Sequence, residues 1–206
     1  MAEPLFPLLQ LSRLRMGIDG DGVVTLAAGA GCPLNCRWCI NQRLLSEAAA
    51  EMLTAAELVE RVRIDDLYFR ATGGGVTFGG GEPLLHAAFL LRFRGLCPPA
   101  WRVTAETSLA VPSEYVRLAA SAVDFFIVDC KDTDGAIYHR YTGGDGSLME
   151  SNLRLLLALV GAARVRVRVP LIPSYNTPED QARSASSLRA MGVENIEQFD
   201  YVIRGS

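Results

Sequence analysis

From about residue 22 onward, short apolar, β-rich runs alternate with amphipathic stretches of helical period. GVVTLAAG (22–29), GGVTFG (74–79), WRVTAET (101–107), VDFFIVDC (123–130), RVRVRVPLI (164–172) and NIEQFDYVI (195–203) predict six strands. Between them TAAELVERVRIDDLYFR, PLLHAAFLLRFR, PSEYVRLAASA, SLMESNLRLLLALVG and TPEDQARSASSLRAMG carry the 3.6-residue pattern of helices with one buried face. Thr54 followed three residues later by Glu57 reads as a capping box. Pro112 and Pro178 suit first helical turns, and Gly161 and Gly192 suit helix ends. Leu153, Leu156 and Leu157 form an apolar helical stripe.

Repeated βα units build a parallel sheet with helices outside. Right-handed crossovers then favour a partial barrel or an open doubly wound sheet. Both place ligands at the carboxyl ends of the strands. The cysteine-rich segment after the first strand, GGGEP, ETS, DCKD and PSYN all fall at such ends, so one site is expected to gather all five. No linker or low-complexity tract interrupts the pattern, and a single domain over residues 1–206 is expected.

Composition narrows the class. Half of the 206 residues are apolar, the net charge is -3, and no basic stripe points to nucleic acid. The first apolar run lacks a basic leading region and has Arg13 and Arg15 behind it, so neither a signal peptide nor a membrane span is expected. Five cysteines, an odd number with three clustered, do not make a secreted disulfide framework and fit a reducing cytoplasm.

Cys32, Cys36 and Cys39 follow the spacing CxxxCxxC. Thiolates are soft ligands that select zinc, Cu(I) or iron–sulfur clusters. A structural zinc site needs four protein ligands, and no second cysteine pair exists; Cys97 and Cys130 stand alone and read as inert buried thiols, while His86 and His139 read as packing or surface residues. A [4Fe–4S] cluster on three thiolates would leave one iron open to a substrate. Trp38, just before the third cysteine, either packs under the loop or offers a π-face to a nucleoside. Elsewhere, Gly79, Gly80 and Gly81 let backbone approach a ligand closely, and Glu82 can accept from an ammonium group. Asp129 and Lys131 share one side of an extended strand end, either as a structural ion pair or as ligand contacts. Arg164, Arg166 and Arg168 have period two, the pattern of one charged face, and Asn176 reads as shaping the turn that follows its strand.

At these residues the chain resembles the radical S-adenosylmethionine (SAM) superfamily, whose CxxxCxΦC motif has an aromatic at Φ, here Trp38. The likeness narrows to the activating enzymes of glycyl radical enzymes, the group of the pyruvate formate-lyase activating enzyme. DGDG (19–22), VTFGGGEPLL, TAETSL, IVDCKD, YTGGD, RVRVPLIPSYNTPED and GVENIEQFDYV resemble that group's motifs in order. The resemblance implies a partial (βα)6 barrel and a cluster on Cys32, Cys36 and Cys39, with SAM chelating the open iron through its amino and carboxylate groups. An electron from the cluster would then break a carbon–sulfur bond of SAM, and the 5′-deoxyadenosyl radical would abstract a hydrogen atom.

The same resemblance implies roles for single residues. Trp38, Gly80, Gly81 and Glu82 would border SAM, with Glu82 on its amino group; Glu106 and Thr107 would lie on its ribose or carboxylate side. Lys131 and Arg168 would meet its carboxylate or the substrate, Asp129 would help hold a monovalent cation or polar group, and Asn176 would lie near the methionine part. Asp19 joins Asp129 and Lys131 as a candidate catalytic residue. The implied partners are a glycyl radical enzyme, or another protein or peptide, and a flavodoxin- or ferredoxin-type electron donor. Three departures stand out: Val202 replaces the group's last-strand His, Glu106 replaces an Asp, and no second CxxC insertion follows the first motif. Two other functions stay open at this stage: a radical SAM enzyme acting on a small molecule or peptide, such as a deazapurine synthase, and a cluster-binding protein without turnover.

Overall fold

A computed structural model describes residues 3–42 and 50–201. Its elements in chain order are β1 (Phe6–Met16), β2 (Val23–Gly29), β3 (Glu51–Leu53), α1 (Ala55–Val62), α2 (Asp66–Thr72), β4 (Gly75–Gly80), α3 (Ala87–Leu96), β5 (Arg102–Thr107), α4 (Ser113–Ala120), β6 (Phe125–Asp129), α5 (Gly135–Thr142), α6 (Gly146–Val160), β7 (Val165–Leu171), α7 (Pro178–Ala190) and β8 (Asn195–Asp200). The sheet order is β3-β1-β2-β4-β5-β6-β7-β8. The six strands expected from the sequence are β2 and β4 to β8, all parallel and in chain order, as repeated right-handed βα units require. The sheet is curved but open, with β3 and β8 as its edges, which is the partial-barrel class.

Three features correct the expectation. β1 and β3 extend the sheet as antiparallel strands. β1 carries register shifts at Leu8/Gln10 and Ser12/Arg15, and such bulges break the period-two pattern by which a strand is read. The stretch 54–70 is not one helix: a 3-10 turn at Arg63–Asp65 separates α1 from α2. At that break Asp65 is drawn fully inside, where it accepts from Arg13 and from Thr25 Oγ1 at 2.7 Å. Finally, the short α5 is set by its ends rather than by an apolar stripe. Asp134 caps its first turn and Gly143 ends it in a left-handed conformation.

The core lies between the sheet and the helices. Strands β4 and β6 are buried along nearly their whole length, as in parallel sheets covered on both faces. Phe78 of β4 meets Phe6, Phe89 and Phe93 at ring-centroid distances of 5.4, 6.1 and 5.0 Å, so β1 helps close one end of the core. On β7, Val165, Val167 and Val169 are fully buried, while Arg166 and Arg168 alternate onto the other face.

Candidate functional site

The carboxyl ends of β2, β4, β5, β6 and β7 open onto a cavity of about 270 Å³. The loop after β2 brings Cys32, Cys36 and Cys39 to it as free, half-buried thiols. Backbone hydrogen bonds fix this loop on two sides. On one, Gly81 N donates to Gly29 O at 2.9 Å and Glu82 N to Gly31 O at 2.8 Å, which sews the end of β4 to the start of the loop. Any Cβ on Gly81 would lie 2.2 Å from Gly31 O, and Gly80 sits at φ +87°, so both positions require glycine. On the other, Asn35 N and Arg37 N donate to the C-terminal carbonyls of Thr142 and Tyr141 in α5, at 2.8 and 3.1 Å. The loop thus supplies donors to a helix end that would otherwise leave acceptors unmet. Tyr201 donates its hydroxyl to Trp38 O and pairs with the hydroxyl of Tyr141.

Facing the thiols is a fixed charge group. Asp129 at the end of β6 accepts from Arg168 Nε at 2.7 Å and from Lys131 Nζ at 3.1 Å. Arg168 also reaches Glu106 Oε1 at 3.3 Å. Burial pushes the Asp129 carboxyl up, but Lys131 and Arg168 outweigh it and hold the group at about 2. Burial works against the Lys131 ammonium as well, and Asp129 more than restores it. Glu106 behaves in the opposite way: burial pushes it up, Arg168 pulls it down, and Asp129 and Asp19 push it up again, to about 7. Asp19 beside it adds to the rise, so Glu106 favours holding a proton.

Glu82 is buried, and its carboxylate is saturated. Oε1 accepts from Thr107 Oγ1 at 2.7 Å and Leu84 N at 3.1 Å; Oε2 accepts from Ser108 N at 2.8 Å and Ser108 Oγ at 2.6 Å. Four donors fill the four acceptor positions of a carboxylate. Burial pushes this carboxyl up, and the Ser108 and Thr107 donors draw it part of the way back. In this structure Glu82 therefore locks the ends of β4 and β5 together and leaves no lone pair over for an ammonium group.

The structure brings most of the candidate residues to one place. Cys32, Cys36, Cys39, Gly80, Gly81 and Glu82 line the cavity, as do Glu106, Thr107, Asp129, Lys131 and Arg168. Three candidates are elsewhere. Asn176 spends its amide on the turn after β7: Oδ1 accepts from Ile172 N at 2.6 Å, and Nδ2 donates to Asp132 Oδ2 and Pro170 O, both at 3.1 Å. Trp38 is exposed and is not among the lining residues. Asp19 lines an adjoining cavity of about 300 Å³, which shares Glu106 with the first, and there it is paired with Arg15. Of the three β7-side arginines, only Arg168 reaches the site: Arg166 bonds Asp21, and Arg164 bonds the Val123 and Asp124 carbonyls. Ser108, Tyr141, Phe199 and Tyr201 also line the cavity and were not singled out from the sequence. Ser108 lies within the ETS segment, but its bond to Glu82 joins residues 26 positions apart and leaves no local signal. Val202 lies outside the described residues.

The donor set fits a soft metal group. Burial pushes the Cys32 thiol up to about 11 and raises Cys36 as well, even with Lys131 pulling down. Deprotonated sulfurs here need a metal to balance them. Among the described residues no three His, Cys, Asp or Glu side chains converge on a single ion. Three thiols spread along one loop suit a cluster that takes one thiolate per iron better than a single zinc.

Comparison with known proteins agrees. Residues 27–184 match the Radical SAM superfamily, and the chain belongs to that family. The chain is 36 % identical to the choline trimethylamine-lyase activating enzyme of Oleidesulfovibrio alaskensis, in an alignment covering 80 % of this chain and 72 % of that one. It is 27 % identical to the pyruvate formate-lyase-activating enzyme of Clostridium pasteurianum, covering 89 % and 77 %. Among solved structures, Streptococcus suis SuiB aligns with a TM-score of 0.62 at 13 % identity, covering 84 % of this chain and 38 % of that one. Native anSMEcpe with bound AdoMet aligns with a TM-score of 0.60 at 15 % identity, covering 84 % and 49 %. These two likenesses establish the fold. Membership of the family implies a [4Fe–4S] cluster and SAM. No helix among the described residues is long and apolar enough to cross a membrane.

Proposed function

We propose that this chain is the activating enzyme of a glycyl radical enzyme. In this reading Cys32, Cys36 and Cys39 hold a [4Fe–4S] cluster, the adjoining cavity takes SAM, and residues 1–206 act as one domain. The observation that carries it is the convergence of three free thiols, a glycine-only turn and two fixed cations on one cavity at the strand ends. Relatives that are themselves activating enzymes support the choice of class.

When bound on Cys32, Cys36 and Cys39, the cluster would supply the electron for reductive cleavage of SAM, the source of the hydrogen-abstracting chemistry directed at the partner's glycine. The chain's own work is binding and exclusion of water. Lys131 and Arg168 are held extended by Asp129 and are mostly desolvated, so an incoming carboxylate meets cations already in place. Glu82 holds Thr107 and Ser108 and, through its backbone, the glycine turn against the cysteine loop. A monovalent cation beside Asp129 would have to share a carboxylate that Lys131 and Arg168 already occupy, so the reading rests on the two fixed cations. The electron donor is a flavodoxin- or ferredoxin-type protein, and the place of action is the cytoplasm.

Anaerobic reconstitution with iron and sulfide tests the reading. Dithionite and SAM are expected to yield 5′-deoxyadenosine, and a glycyl radical enzyme encoded next to this gene is expected to gain an EPR doublet. Turnover without a doublet on any neighbouring partner would move the function to a small molecule or peptide. An EPR-competent cluster that makes no 5′-deoxyadenosine would leave a binding protein.

A further inference from the structure

Tyr138, in the middle of α5, is fully buried, and its hydroxyl has no hydrogen-bond partner among the described residues. A buried hydroxyl without a partner is rare in a folded protein and calls for an explanation. Its position offers one. Thr142 and Tyr141, one turn further along α5, carry the carbonyls that hold the cysteine loop. The side chains of Tyr138 and Leu34, the latter between Cys32 and Cys36, both border Gly144. The ionisable groups that act on the Tyr138 phenol are Cys36 first, then Cys130, Glu82 and Cys32. Two of these four are thiols of the proposed cluster site.

We infer that the Tyr138 hydroxyl is the hydrogen-bond donor to the sulfur shell of the cluster, on its Cys36 side, and that it sets the cluster's reduction potential. The inference rests on the cluster assignment made above. A neutral O–H aimed at sulfur stabilises the more negative, reduced cluster more than the oxidised one, so it raises the potential. The low dielectric of a fully buried position strengthens that effect. No other described residue beneath the loop presents an unused donor of this kind.

The test is a redox titration of the reconstituted holoprotein, wild type against Tyr138→Phe, followed by EPR of the reduced cluster. The variant removes one oxygen and keeps the ring. At equal iron content its reduction equilibrium constant is expected to fall on the order of tenfold, a shift of about 59 mV for one electron. Pulsed EPR in D2O adds a second readout: a strongly coupled exchangeable deuteron present in wild type and lost in the variant. An unchanged or higher potential, or a coupling that survives the substitution, overturns the inference and leaves the hydroxyl bonded to buried water. Should Tyr138→Phe take up no cluster, Tyr138→His restores a ring N–H donor. Uptake regained supports the role, and uptake still lost overturns it. If wild type itself shows no [4Fe–4S] signal, the cluster assignment fails, an outcome distinct from an unchanged potential.

Discussion

An aspartate between two cations occurs at both ends of this barrel. At the amino end, Asp21 bonds Arg102 at 2.8 Å and Arg166 at 3.2 Å, and its side chain is 55 % exposed. At the carboxyl end, Asp129 bonds Arg168 at 2.7 Å and Lys131 at 3.1 Å; its side chain is 26 % exposed and both cations are 15 % exposed. The distances are alike, and β7 supplies an arginine to each network, two residues apart. What differs is water. An exposed pair gains little because solvent screens it. A desolvated pair carries a standing penalty that its own attraction must offset. At the mouth, beside the thiols and the cavity, the chain keeps two cations and their aspartate dry and oriented.

The comparison breaks first at Asp129. Asp129→Ala would leave Arg168 with Glu106 as its ion-pair partner, and Lys131 with none, among the described residues. Breaking a partly desolvated pair in this way is expected to cost about 3 kcal/mol, measured by urea unfolding of the cluster-free protein. It is also expected to abolish SAM binding. A loss under about 1 kcal/mol would mean that the mouth is as well solvated as the base.

Glu82 gives the next largest effect. Each of its carboxylate oxygens accepts from a backbone N–H, Leu84 on one side and Ser108 on the other. Glu82→Gln must set its amide NH2 against one of these donors, whichever way it flips. The expected cost is about 2 kcal/mol, since a buried donor is left without an acceptor. Equal urea midpoints for the two proteins would show that the ends of β4 and β5 do not depend on this clamp.

Much of this division between base and mouth was legible in the sequence, because a parallel strand reads as an apolar run and its end as the first polar residues after it. Asp129 and Lys131 follow FFIV, and Glu106 and Thr107 follow VTA. Other features depend on distant partners and leave no periodic trace. Arg166 and Arg168 look alike along the chain, and only their registers opposite Ile127 and Asp129 separate them. The bulges in β1 hid a strand, and the burial of Asp65 split a helix. The carboxylate of Glu82 looked free to meet a ligand because Ser108 and Thr107 are remote in sequence. Asn176 shows the reverse case: a turn-shaping role was among its local readings, and the structure places it in that turn.

Glu106 sharpens the comparison through pH. Burial and the neighbouring Asp129 and Asp19 raise its carboxyl to about 7 in the folded protein, above the ordinary carboxylate value, although Arg168 pulls it down. Between the two values the folded state holds a proton that the unfolded chain has lost. Stability from this group is therefore full below about pH 4.5 and declines as pH rises toward 7. Glu106→Gln removes the decline. From pH 5 to pH 8, wild type is expected to lose on the order of 1 kcal/mol more stability than the variant, by urea midpoints at each pH. Parallel pH profiles would show that Glu106 is ionised throughout and that its pair with Arg168 dominates.

The smallest expected effect lies at the base. Asp21→Ala removes an anion shared by Arg102 and Arg166, but both guanidiniums also lie over the Phe125 ring, at 5.9 and 5.6 Å. That contact survives the substitution and offers the cations a partner. Solvent takes up the rest, so the expected loss is about 0.5 kcal/mol, shrinking further when salt is raised toward 1 M. Asp129→Ala, by contrast, should lose nearly as much at high salt as at low, because ions screen a desolvated pair poorly. The decisive measurement is the salt dependence of the two losses side by side. If both fall together, exposure does not separate the two networks, and the mouth owes its role to position alone.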